Sequence, residues 1–163
     1  KEEIEEELTI EASEVVLALG NGLKIPGFDK VKVVRAALGS DPFKVATKYS
    51  HIYIPDNNTA QLLWSNDYGS VNPSISNVKR SIFVHELTHV YQWRKKGELH
   101  LFSSGNYCYM PLTASYGSYN HEQRAEMVKD RFLLRISEIE YLSAIIPCND
   151  GVELSVLEAK IDL

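Results

Sequence analysis

His85-Glu86-Leu87-Thr88-His89 lies inside the stretch Val78 to Lys96, VKRSIFVHELTHVYQWRKK. The apolar residues Ile82, Phe83, Leu87, Val90 and Tyr91 recur at helical spacing, and Gly97 follows as a natural stop, so the stretch is predicted to be one amphipathic helix. Residues four apart on a helix lie one turn above each other on the same face, so both imidazoles can reach one ion. Zinc accepts neutral imidazole nitrogen, and a catalytic zinc site uses three protein ligands, leaving a fourth position for water. Glu86, beside the first histidine, is placed to take a proton from that water as general base. The motif is short enough to arise by chance, so it needs a buried helical context and a third ligand. Phe83-Val84 before it and Val90-Tyr91 after it supply the context.

A second helix is predicted from His121 to about Ser143, with Ala125, Val128, Phe132, Leu133 and Ile136 facing inward and Pro147 beyond its end. Its first turns carry Glu122 and Glu126 on one face. Glu122 is the expected third ligand, and Glu126, one turn on, would accept the second N–H of a ligand histidine and fix its orientation. The alternative register makes Glu126 the ligand and Asp130 its outer partner. Acidic residues at a helix start also suit the positive end of the helix dipole without any metal. His121 is read as a solvated neighbour of the helix cap rather than an oxyanion donor. Between the two helices lies a long connection rich in aromatics. One phenol among Tyr107, Tyr109, Tyr116 and Tyr119 is a candidate to stabilise an oxyanion or to wall the cleft, and the sequence does not single it out. His51 and His100 are read as ordinary structural or surface residues.

Outward from the site, Glu2 to Leu19 reads as an amphipathic helix with an acidic start, ended by Gly20-Asn21-Gly22. Val31 to Val34 and His51 to Ile54 read as short strands, the second closed by Pro55-Asp56-Asn57-Asn58. Gly69, Asn72, Pro73 and several serines mark a loop, after which Ser76 or Asn77 could cap the first long helix. The tail from Val152 is apolar enough to dock as a strand or helix. With 163 residues, the chain is expected to be a single α+β domain. Apolar residues at 44% and charged residues at 24% fit a globular protein, and a net charge of -5 with no basic run argues against nucleic acid as a partner. No apolar run approaches the roughly 20 residues needed to span a bilayer. Cys108 and Cys148 lack a C-x-x-C spacing. They are read as two buried thiols, with a disulfide left open.

HELTHVYQ in one helix and Glu122-Gln123-Arg124-Ala125-Glu126 in another resemble gluzincin metallopeptidases. More narrowly, Phe28 to Val33, then His51-Ile52-Tyr53, then Ile82 to Gln92, then Glu122 to Asp130 resemble small zincin-like proteins linked to Vgr and Rhs elements of bacterial type VI secretion. Asn106-Tyr107-Cys108-Tyr109 stands where such relatives carry an aromatic pair in an extended loop. Arg124 replaces the glutamine that the resemblance expects, and Lys129 replaces a common arginine. The resemblance implies a zincin-like fold, Zn2+ held by His85, His89 and Glu122, and hydrolysis of peptide bonds in a protein or in the peptide of peptidoglycan. It also implies an antibacterial effector secreted into a rival cell's periplasm or cytoplasm, with a Vgr or Rhs carrier and a cognate immunity protein as partners. The alternatives are a zinc-binding adaptor without turnover and a cell-wall amidase.

Overall fold

A computed structural model describes residues 7–10, 31–38, 44–55, 77–98, 105–136 and 144–163. Four short strands come first: β1 (Glu7–Ile10), β2 (Val31–Val34), β3 (Ala46–Lys48) and β4 (His51–Tyr53). Helices α1 (Asn77–Lys96), α2 (His121–Ile136) and α3 (Leu154–Lys160) follow, with single 3-10 turns at Tyr116–Ser118 and Pro147–Asn149. The architecture is α+β, as the sequence implies.

The sheet runs in the order β1-β2-β4-β3. β2 and β4 are parallel, pairing Val33 with Ile52, while β1 and β3 pair antiparallel on either side. Val31, Val33 and Ile52 are fully buried, so alternate residues of β2 and β4 face the core. Both strands were legible from their β-branched runs. β1 was not, because Glu7 to Ile10 falls inside the stretch read as an amphipathic helix. Four residues of β1 pair with β2, and that tertiary pairing overrides the helical spacing of the apolar residues. The rest of that expected helix lies outside the described residues, as do the loop between the strands and α1, and His100.

α1 packs along α2 and rests against β3 and β4, and Phe83, Val84, Leu87, Met127 and Val128 share one core with Val31, Val33 and Ile52 of the sheet. Two buried hydroxyls of α1 bond within the helix: Ser81 donates to the Val78 carbonyl at 2.7 Å and Thr88 to the Val84 carbonyl at 2.8 Å. Arg94, Lys95 and Lys96 occupy the last turn, where the helix dipole favours positive charge. Gly97 then takes a left-handed φ of 66°, which glycine adopts without steric cost, and its N–H caps the Trp93 carbonyl.

The start of α2 is fixed by a reciprocal cap. Gln123 N donates to Asn120 Oδ1 at 2.8 Å, and Asn120 N donates to Gln123 Oε1 at 2.9 Å. Glu122 sits between the two and inherits their rigidity. Among the described residues, no helix is long and apolar enough to cross a membrane.

Cys108 and Cys148 form a disulfide, correcting the reading of two buried thiols. Both side chains are exposed, on segments that Asn149 also joins. The wholly buried Asn149 accepts from the Tyr109 N–H at 2.9 Å and donates to the Tyr107 carbonyl at 3.0 Å. Linear spacing carries no trace of that adjacency.

Candidate metal centre

One face of α1 presents His85 and His89, with their Nε2 atoms 3.1 Å apart. The Glu122 Oε1 atom, from the first turn of α2, lies 3.1 Å from His85 Nε2 and 2.5 Å from His89 Nε2. One ligand atom from each of the three residues lies within 4.8 Å of the others, so the group could hold a metal ion.

The outer nitrogens decide what the converging ones carry. His85 Nδ1 lies 2.8 Å from Glu126 Oε1, a carboxylate that only accepts, so in a neutral ring the proton sits on Nδ1. His89 Nδ1 lies 2.8 Å from Gln92 Oε1. The Gln92 amide cannot be flipped, because its Nε2 donates to the His121 carbonyl at 3.0 Å. His89 Nδ1 therefore donates as well. Both Nε2 lone pairs then point at a carboxylate oxygen, an arrangement of three electron-rich atoms that needs a proton or a metal cation at its centre. Two neutral imidazoles and one carboxylate fit a divalent ion as donors.

Without a cation the proton takes that role. Burial lowers the His85 pKa, but the hydrogen bonds His85 donates to Glu122 and Glu126, with the charge of Glu86, more than reverse this and push it up to about 10. Burial would raise the Glu122 carboxyl, yet the hydrogen bonds from His85 and His89 hold it well below the usual carboxylate range.

Glu86 is buried beside the cluster. Its Oε2 lies 3.9 Å from His85 Nε2, and its Oε1 accepts a hydrogen bond of 2.8 Å from the Thr47 hydroxyl on edge strand β3. This leaves Oε2 as the oxygen turned toward the shared position. The residues open on a small cleft of about 100 Å³ that Thr47, Tyr49, Trp93, Tyr107 and His121 also line. The Tyr107 ring centre is 5.9 Å from that of His85, and the His121 ring is 5.6 Å from His89. His121, expected in water, is instead buried at the wall, with 8% of its surface exposed.

The three tyrosines kept as oxyanion donors or cleft wall are directed elsewhere. The Tyr109 hydroxyl donates to Asp130 Oδ2 at 2.8 Å deep in the core, and burial, then the Asp130 charge, raise its pKa. The Tyr116 hydroxyl donates to the Arg124 carbonyl at 3.2 Å, and the Tyr119 hydroxyl accepts from the Ala114 N–H at 3.2 Å. None of the three lines the cleft with the histidines; Tyr107 does. Tyr107 and Tyr109 flank the disulfide-bonded Cys108, and the loop backbone turns the first toward the cleft and the second into the core.

The two glutamates take different positions. Glu122 meets the converging Nε2 atoms, and Glu126 meets the outer Nδ1 of His85. The other Glu126 oxygen makes a charge contact of 2.9 Å with Lys129 Nζ, which also donates to the Ala144 carbonyl. Lys129 thus touches the outer carboxylate where the resemblance expects arginine. Arg124, in place of the expected glutamine, forms a two-pronged ion pair with Glu98.

Three contributors escaped the sequence reading. Gln92, three residues after His89, could have been found from helical spacing, and the Asn120-x-x-Gln123 cap from its pattern. Thr47 had no local signal, because only the fold brings it to Glu86. No family model, curated protein or solved structure matches the chain.

Proposed function

We propose that the chain is a zinc-dependent hydrolase of peptide bonds with a zincin-like site, in which His85, His89 and Glu122 hold the metal and Glu86 is the general base. The observation that carries this reading is the convergence of His85 Nε2, His89 Nε2 and Glu122 Oε1, with Glu86 Oε2 turned toward them from a buried position. An adaptor that merely held a metal would have no use for a fourth, carboxylate side chain clamped in that direction. When bound, zinc polarises a carbonyl and makes water acidic enough to attack at neutral pH. Glu86 Oε2 takes a proton from the attacking water as its oxygen bonds to the scissile carbon. The same carboxyl then gives that proton to the leaving nitrogen as the C–N bond breaks. Glu126 and Gln92 keep the histidine rings in the tautomer that leaves Nε2 free to ligate.

The resemblance to proteins linked to Vgr and Rhs elements extends the proposal to an antibacterial effector delivered by type VI secretion, countered in its producer by an immunity protein. A disulfide persists in oxidising compartments, so Cys108–Cys148 favours the rival's periplasm, with its peptide cross-links, over the cytoplasm as the place of action.

Elemental analysis of native protein, Glu86→Gln and Glu122→Ala, purified without chelator, tests the reading together with hydrolysis of casein and of cross-linked muropeptides. We expect about one zinc per chain in the native protein and in Glu86→Gln, little in Glu122→Ala, and turnover in the native protein alone. Native protein free of zinc, or full activity in Glu86→Gln, would overturn it.

A further inference from the structure

Tyr49 is an oddity of the cleft rim. It occupies the two-residue turn between β3 and β4 with a φ of 54°, the one positive-φ residue other than glycine among the described residues. Asparagine or glycine adopts that conformation readily, whereas a bulky aromatic there is an outlier that costs on the order of 1 kcal/mol. The residue is also 42% exposed, so burial does not offset the cost. Instead the ring leans on Trp93, with centroids 5.0 Å apart and planes tilted by 60°. The turn is tied to α1 on the same side, since Arg94 Nε donates to Ser50 Oγ at 2.7 Å.

Trp93 follows His89 by four residues, as His89 follows His85. The three stack on one face of α1, so Trp93 stands about 6 Å along the helix axis beyond the second histidine. Tyr49 and Trp93 line the same cleft as His85, Glu86 and His89. An extended peptide advances about 3.3 Å per residue, so a substrate reacting at the metal position reaches this pair with a side chain one or two residues away.

We infer that Tyr49 and Trp93 form an aromatic subsite that selects a bulky apolar or aromatic side chain beside the scissile bond. Two tilted rings offer a neutral ring or branched chain both a face and an edge. A cationic side chain is disfavoured, because Lys48 Nζ already lies 5.5 Å from the Tyr49 ring centre and Lys44 also borders the cleft. The left-handed turn is what aims the Tyr49 ring toward Trp93 rather than into solvent.

The inference rests on the peptidase reading, and its test separates the two. Zinc-loaded protein is titrated by calorimetry with peptide hydroxamates that differ in one side chain: phenylalanine, alanine or arginine. We expect the phenylalanine compound to bind about tenfold tighter than the alanine one, and the arginine compound no better than alanine. Tyr49→Gly should abolish that preference while leaving zinc content unchanged and thermal stability equal or higher, because the turn is relieved of strain. Tyr49→Phe should retain it. Equal binding of all three hydroxamates, or a preference that survives in Tyr49→Gly, would overturn the subsite alone. Absence of any hydroxamate binding would overturn the subsite and the peptidase reading together.

Discussion

Glu122 and Asp130 stand two turns apart on α2, both almost wholly enclosed, and their surroundings make them different objects. Asp130 is answered within the protein: the Tyr109 hydroxyl donates to one oxygen, and Lys129 Nζ lies 3.5 Å from the other. Burial pushes its pKa up to about 6 in spite of Lys129. Glu122 is answered by the converging ring nitrogens of His85 and His89, and so by whatever proton or cation those three atoms share. Glu126, between the two, has one oxygen on each side. A periodic row of carboxylates thus passes from a site that needs a ligand to a core that needs none. What distinguishes the ends is the partner each acid meets, not its burial.

Substitutions at the two ends should separate accordingly. Replacing Glu122 with alanine should weaken zinc binding by more than about 100-fold, beyond what an outer partner contributes. Competition with a chelator of known affinity measures it, and a smaller loss would mean that the two ends of the row do not differ in kind. Glu126→Gln leaves ligation intact but removes the carboxylate that orients His85, so the same titration should show a loss of about 10–100-fold.

Acidity supplies a third contrast. The metal-free His85 has a pKa of about 10, above its ordinary 6.5, so metal must displace its proton. Apparent affinity should then rise with pH, about tenfold per unit across the neutral range, and level off near the folded pKa. The sign for metal-free stability is opposite: the contribution of protonated His85 is complete below 6.5 and is lost as pH climbs through about 10. Calorimetry in buffers of different ionisation enthalpy counts the released proton, and a count of zero would break the assignment.

The smallest effect on metal is expected at the closed end. Asp130→Asn should leave zinc affinity unchanged while lowering unfolding stability by about 1–3 kcal/mol, read by denaturant titration. Weakened zinc binding in that variant would show that the two ends are coupled through Lys129 and Glu126.

The legible and illegible parts divide along similar lines. His85, His89, Glu122 and Glu126 were readable because a helix turns sequence spacing directly into a shared face. β2 and β4 were readable because β-branched runs favour extended backbone. Thr47 and Asn149 were not, since each acts on residues about 40 positions away through the fold alone. β1 was misread because Leu8 fits the helical spacing of Ile4, Val15 and Leu19 while Leu8 and Ile10 also alternate as in a strand, and pairing with β2 decides between them. The tyrosines failed for a subtler reason. Tyr107 and Tyr109 are two apart, a spacing that would put both on one side of an extended chain, and only the irregular path of the loop sends one to the cleft and the other to the core.

The covalent tie between Cys108 and Cys148 bears on cooperativity. It closes a loop across a sequence separation of 40, a constraint that the chain-entropy model equates with about 4 kcal/mol. α3 buries only Leu157 among its seven residues, too little to hold it firmly by packing. Its membership in the folding unit is therefore borrowed through the bond just upstream. In amide-exchange terms, the oxidised protein should protect α3 together with the core, whereas the reduced protein should open residues 144–163 as a separate unit of much lower free energy.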